Sequence, residues 1–185
     1  MKCKRLLRYE VIGVFLIFIL GCLWHFIYDM SGENYILGLF APVNESMWEH
    51  WKIGMYPILI YSAFEYIFVK EEAKNFLFSK FISIIVFEIV CFSLTGLWHG
   101  FFKDATSTVN LVVDIGGYFV GVLAGQIISY IIACNSKENK KLIYVALAGI
   151  ILHIIIFIIF TIKPPMNDYF KDNNTGEYGI YKIKD

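Results

Sequence analysis

An all-α polytopic membrane bundle is the fold class this sequence predicts, and three observations predict it. Hydrophobic residues fill 58% of the 185 positions, above the ~45–50% of ordinary soluble domains, and the mean hydropathy is +0.62. Apolar runs long enough to cross a hydrocarbon core of about 30 Å recur along the chain. Lys and Arg gather in alternate connections between those runs, the segregation expected of an inserted chain. The 16 basic and 16 acidic residues cancel, so the expected partner is the lipid bilayer and not a nucleic acid.

Five spans are expected, over residues 11–28, 53–69, 81–98, 111–132 and 142–162, making 1–162 one transmembrane domain and 163–185 a tail. The first run follows Lys2, Lys4, Arg5 and Arg8. Its Ile19-Leu20-Gly21-Cys22 resembles a lipoprotein cleavage site, but the apolar run continues through Leu23, Trp24, Phe26 and Ile27, which favours an uncleaved helix. The second contains Pro57, which frees the carbonyl of Ile53 and predicts a kink. The third carries Glu88 at mid-span. The fourth has Gly117, Gly121 and Gly125 at steps of four, a seam for helix packing or for a homo-oligomer. The fifth ends before Pro164-Pro165. The tail's aromatic residues and its Asp172-to-Gly176 turn suggest a lid rather than a disordered end.

Ten Lys and Arg fall on the N-terminal side of the membrane and six on the other, so the N-terminus is expected inside, the C-terminus outside, and the plasma membrane is the expected location. The four Cys include no Cys-x-x-Cys spacing; neither a disulfide scaffold nor a zinc ribbon is expected, and Cys3, Cys22, Cys91 and Cys134 receive no role. Walker, Rossmann and Gly-x-Ser-x-Gly patterns are absent, which removes support for nucleotide binding and serine hydrolysis.

With that topology, His25, His50 and His99 collect at one face. The densest cluster runs from Pro42 to Lys52, where Asn44 is the expected N-cap and Glu45 and Glu49 occupy the first helical turns. Glu45, Glu49 and His50 are the candidate catalytic groups, as ligands or a general base. Metal ligation points to His25, His50, His99 and Asp114, with zinc or another divalent metal as the cofactor. Interfacial anchoring by His and Trp is the competing reading. Ser46, Glu88, Thr95 and His153 are candidate substrate- or path-lining groups, since ionisable residues inside a membrane normally face the bundle interior or water. Depth suggests a contact of Asp114 with His99 across a loop of about a dozen residues, and His153 reads either as a core histidine hydrogen-bonded to Glu88 or as a relay member.

The runs Leu23-Trp24-His25-Phe26-Ile27-Tyr28-Asp29 and Pro42-Val43-Asn44-Glu45-Ser46-Met47-Trp48-Glu49-His50, the Trp98-His99 pair and the Tyr178-Gly179-Ile180 tail resemble a family of small multi-pass membrane proteins of unknown function from low-GC Gram-positive bacteria. The resemblance implies class and origin, without a mechanism. Ser46 and His50 also match the Ser-x-x-x-His element of membrane hydrolases related to ceramidases, but the companion His-x-x-x-His is missing here. Three activities stay open on the residues alone: metal-assisted hydrolysis of a lipid-like substrate, a proton-coupled carrier, and a non-enzymatic membrane partner.

Overall fold

The computed structural model describes residues 3–180, leaving Lys2, Tyr181, Lys182 and Lys184 outside the described residues. In order, the helices are α1 (Lys4–His25), α2 (Ile27–Met30), α3 (Tyr35–Gly38), α4 (Met47–His50), α5 (Lys52–Val69), α6 (Phe76–Phe101), α7 (Ser107–Asn135) and α8 (Lys141–Ile162). Among the described residues one isolated bridge, Lys171 with Tyr178, stands outside them. Helices α1, α6, α7 and α8 are each long and apolar enough to cross a membrane. The region of the expected second span is the 18-residue α5, which contains Lys52, Pro57 and Glu65 and is not among the four.

Large apolar side chains face outward while several charged ones are buried. Phe15, Ile19, Ile89, Leu97 and Ile151 are each more than half exposed, whereas Glu10, Glu49, Lys52, Glu65, Lys80 and Glu88 are buried. Apolar surroundings account for both, because they solvate the outward side chains and drive charge into the bundle. The long helices also overrun the expected spans: α1 starts at Lys4 rather than Val11, and α6 and α7 extend at both ends. Near the headgroups the backbone is still best satisfied by its own helix.

Glycines set how closely the helices approach. The expected seam of α7 lies against α6: a Cβ on Gly117 would stand 2.8 Å from Thr95 Cγ2, on Gly121 2.9 Å from Cys91 Cβ, and on Gly125 2.7 Å from Ser83 O. The seam is therefore filled from within the chain. At Pro57, the carbonyl of Ile53 that loses its helical partner accepts a hydrogen bond from Tyr118 Oη at 3.1 Å, and the same hydroxyl lies 3.0 Å from Ile17 O. Gly21 makes room for this junction of α1, α5 and α7, since a Cβ there would collide with the Tyr118 hydroxyl.

Two clusters fill the interior. The larger centres on Trp48, Met55, Phe87, Tyr118 and Phe157. The smaller, built on Leu6, Val69, Phe76 and Ala133, closes the Lys/Arg-rich end. There Cys3 and Cys134 form a disulfide with Cα atoms 6.0 Å apart, joining the start of α1 to the end of α7. This corrects the expectation that the cysteines have no part in the fold, a pairing hidden by a separation of 131 residues.

The tail beyond α8 lies against the segment before α4. Trp48 N donates to Tyr169 O at 3.2 Å, Asn44 Nδ2 to Gly179 O at 3.0 Å, and Ile180 N to Thr161 O at 2.8 Å. Gly179 adopts φ 67°, and a Cβ there would stand 2.5 Å from Thr161 O, so both backbone and space call for glycine.

Candidate metal centre

The site is built where α1 stops and α5 begins. Helix α1 ends at His25, three residues short of the expected boundary, because Phe26 N–H turns back to Leu23 O at 3.2 Å. The indole of Trp24 donates to Phe40 O at 3.0 Å and ties this end to the loop that leads to α4.

In that loop, Asn44 is not the helix cap. Its Oδ1 accepts from Ser46 N at 2.9 Å, and Ser46 becomes the N-cap of α4, with Oγ accepting from Glu49 N at 3.3 Å. The helix thus begins two residues later than expected. Glu45 is left outside the first turn, free to project toward His25 and His50. The tail fixes its backbone: Glu45 N donates to Asp172 Oδ1 at 3.2 Å, and Asn173 Nδ2 donates to Glu45 O at 2.9 Å.

Three side chains converge there. His25 Nε2 and His50 Nε2 are 3.2 Å apart, and Glu45 Oε2 lies 3.6 Å from the first and 3.3 Å from the second. Donors held about 2.0–2.2 Å from a tetrahedral metal stand about 3.3–3.6 Å from one another. The triangle therefore fits one face of such a site and leaves a fourth vertex open. Because a carbonyl only accepts, His50 Nδ1 must donate to Ser46 O, at 2.7 Å, which directs Nε2 into the triangle. An imidazole ligand anchored through its other nitrogen is the usual second support of a metal site. Glu45 is 41% exposed and the two histidines 23% and 27%, so the open vertex is accessible.

The three side chains shift one another's protonation. The hydrogen bonds from His25 and His50 hold the Glu45 carboxyl well below the usual carboxylate range, against the opposing effect of burial. For His50, burial alone would lower the pKa; the bonds to Glu45 and Ser46 and the charges of Glu45 and Asp114 outweigh it and leave the imidazole raised.

The other candidates have partners of their own. Glu49 is enclosed, with Oε2 receiving Lys52 Nζ at 2.7 Å and Val43 N at 3.1 Å and Oε1 receiving Thr161 Oγ1 at 2.9 Å. Its geometry is that of a brace joining the loop, α5 and α8. His99 and Asp114 pair with each other at 2.8 Å and contribute no atom to the triangle. His153 Nε2 lies 3.1 Å from Glu88 Oε2. Ser46 is spent as the cap, and Thr95 Oγ1 donates to Cys91 O within its own helix at 3.1 Å. Glu45 was expected in the first helical turn; its place outside the helix, beside His25 and His50, follows from the Asx turn of Asn44.

Comparison with known proteins supplies a family and no activity. The model of a family of unknown function (DUF6512) matches residues 1–180, so the chain belongs to that family. No curated protein and no solved structure matches it.

Proposed function

For a member of a family with no assigned activity, we propose a membrane-embedded, metal-assisted hydrolase of a lipid-like substrate. His25, Glu45 and His50 hold zinc or another divalent metal. The triangle of donors with its open vertex carries this reading. A metal there supplies Lewis acidity toward water and toward a carbonyl or phosphoryl oxygen. His99, oriented by Asp114, is the neighbouring group suited to accept a proton. The substrate class is inferred from exposed apolar and aromatic side chains: Phe26, whose ring stands 5.0 Å from that of His25, and Met30, Tyr35 and Ile36 in the segment that follows are all more than half exposed, which suits an interfacial lipid.

In the arrangement we propose, α5 is a fifth span with polar ends, the N-terminus is inside and the site faces outward from a bacterial plasma membrane. The tail acts as a lid whose Asp172 and Asn173 hold Glu45 in place. A carrier reading draws on Glu88 and His153, which pair inside the bundle. The test is mass spectrometry of a bacterial lipid extract incubated with the purified protein. Hydrolysis products that form with zinc, stop with chelator and are lost in Glu45→Gln support the hydrolase. Unchanged lipids under all conditions overturn it.

A further inference from the structure

At the opposite, Lys/Arg-rich end, four helices converge on a second polar cluster that the outer site does not use. Glu10 of α1, Glu65 of α5 and Lys80 of α6 are 2%, 0% and 0% exposed. Lys80 Nζ lies 2.8 Å from Glu10 Oε2 and 2.7 Å from Glu65 Oε2. From α7, Ser129 Oγ donates to Glu10 Oε1 at 2.7 Å. Two carboxylates thus share one ammonium in a medium of low dielectric.

We propose that this cluster is a proton-binding site, with Glu65 as the group that takes up and releases the proton. Both oxygens of Glu10 already accept hydrogen bonds as a carboxylate would, from Lys80 and from Ser129. Neither oxygen of Glu65 has a hydrogen-bond partner among the described residues; Lys80 Nζ stands 2.7 Å from Oε2, which leaves Oε1, with no cation beside it, as the oxygen able to carry a proton. With both acids ionised the cluster holds a net negative charge, which an apolar interior strongly disfavours. A proton on Glu65 removes it.

No second cation among the described residues offers the same relief. From α1, Arg5 faces Glu71 and Glu72 in half-exposed pairs beyond the cluster, and Arg8 is exposed. From α5, Tyr61 donates its hydroxyl to Tyr9 O. On α6 the facing charge is Lys80, and α7 offers Ser129, Gln126 and Tyr130, none of them cationic. An apolar groove of about 90 Å³ between α1 and α7, lined by Leu7, Val11, Val14, Leu123 and Ile127, passes beside Glu10 and Gln126. Gln126, 1% exposed, donates its Nε2 to Glu10 O at 3.4 Å and has its Oε1 without a hydrogen-bond partner among the described residues, a further unpartnered buried acceptor beside Glu10. The site stands independently of the metal centre.

The test is infrared spectroscopy of the full chain reconstituted in phosphatidylglycerol and phosphatidylethanolamine vesicles. It reads the carbonyl band of a protonated carboxylic acid and its shift in heavy water, with Glu88→Gln as background to remove any band from that residue. The expected result is one such band that shifts in heavy water, declines as pH is raised and is lost in Glu65→Gln. Glu10→Gln should lose it as well, since the remaining Glu65 and Lys80 then balance, and Lys80→Met should enlarge it. A Glu65→Gln spectrum identical to its background in this region would overturn the proposal. So would a band that neither exchanges nor titrates, a reading that needs no variant of the cluster.

Discussion

Replacing Glu49 by Gln tests whether the acidic residue of the densest motif braces the site or performs its chemistry. Glu49 and Lys52 are 1% and 0% exposed, and Lys52 Nζ lies 2.7 Å from Glu49 Oε2, 2.6 Å from Thr161 Oγ1, and 3.1 and 3.2 Å from Gly38 O and Ala41 O. Gln keeps the shape and removes the charge, leaving a buried ammonium beside neutral acceptors only. Breaking one side of a buried pair costs about 3–5 kcal/mol, which lowers Tm by on the order of 10 °C in a chain of this size. Replacing both residues, as Glu49→Gln with Lys52→Met, removes the stranded charge and should recover at least half of that loss. Thermal unfolding in detergent, followed by circular dichroism, reads all three variants. A Glu49→Gln protein as stable as the parent, or a double variant whose losses simply add, would refute the bracing role.

Other expectations concern the junctions and the protonation of the site. Tyr118→Phe leaves the Ile53 carbonyl without its hydroxyl partner and should destabilise by about 1–3 kcal/mol; an unchanged Tm would contradict the assignment. Gly21→Leu forces α1 away from Tyr118 and should reduce the yield of folded protein, measured by size-exclusion profile, far more than Gly96→Leu, which faces open space. Zinc affinity, measured by competition with a chelating dye, should fall about tenfold per pH unit below the raised pKa of His50, because the metal must displace that proton. The metal-free protein responds the other way. His50, raised, contributes stability that is complete below about pH 6.5 and is lost as pH climbs through its folded value, whereas Glu45, lowered, contributes above about pH 4.3 and is lost only in strong acid. Equal zinc affinity at pH 6 and pH 8 would contradict this.

Much of the site was legible in depth and spacing, less so in detail. His99 and Asp114 end and begin antiparallel helices joined by a short loop, so their shared level, and the 2.8 Å contact, follow from the chain's course. The same reasoning pairs Glu88 with His153. Glu45 was misplaced because Asn44 reads as a good cap, and only the side-chain turn onto Ser46 N reveals that the helix starts later. Ser46, treated as a lining group, serves that cap. Glu10 and Lys80 stand just before the expected first and third spans, but helices that extend past the apolar runs bury both, and Glu65 acquires an ion-pair partner that its own helix does not announce. Cys3 and Cys134 carry no local pattern at all; only the closure of α1 against α7 brings them together.

The most direct measurement is elemental analysis of detergent-purified protein loaded with zinc and dialysed, the parent chain beside Glu45→Gln and His99→Gln. The account predicts close to one zinc per chain in the parent and in His99→Gln, and loss of most of it in Glu45→Gln, because the binding triangle is His25, Glu45 and His50. A parent protein that retains no zinc, or zinc that leaves with His99 and stays without Glu45, would contradict it.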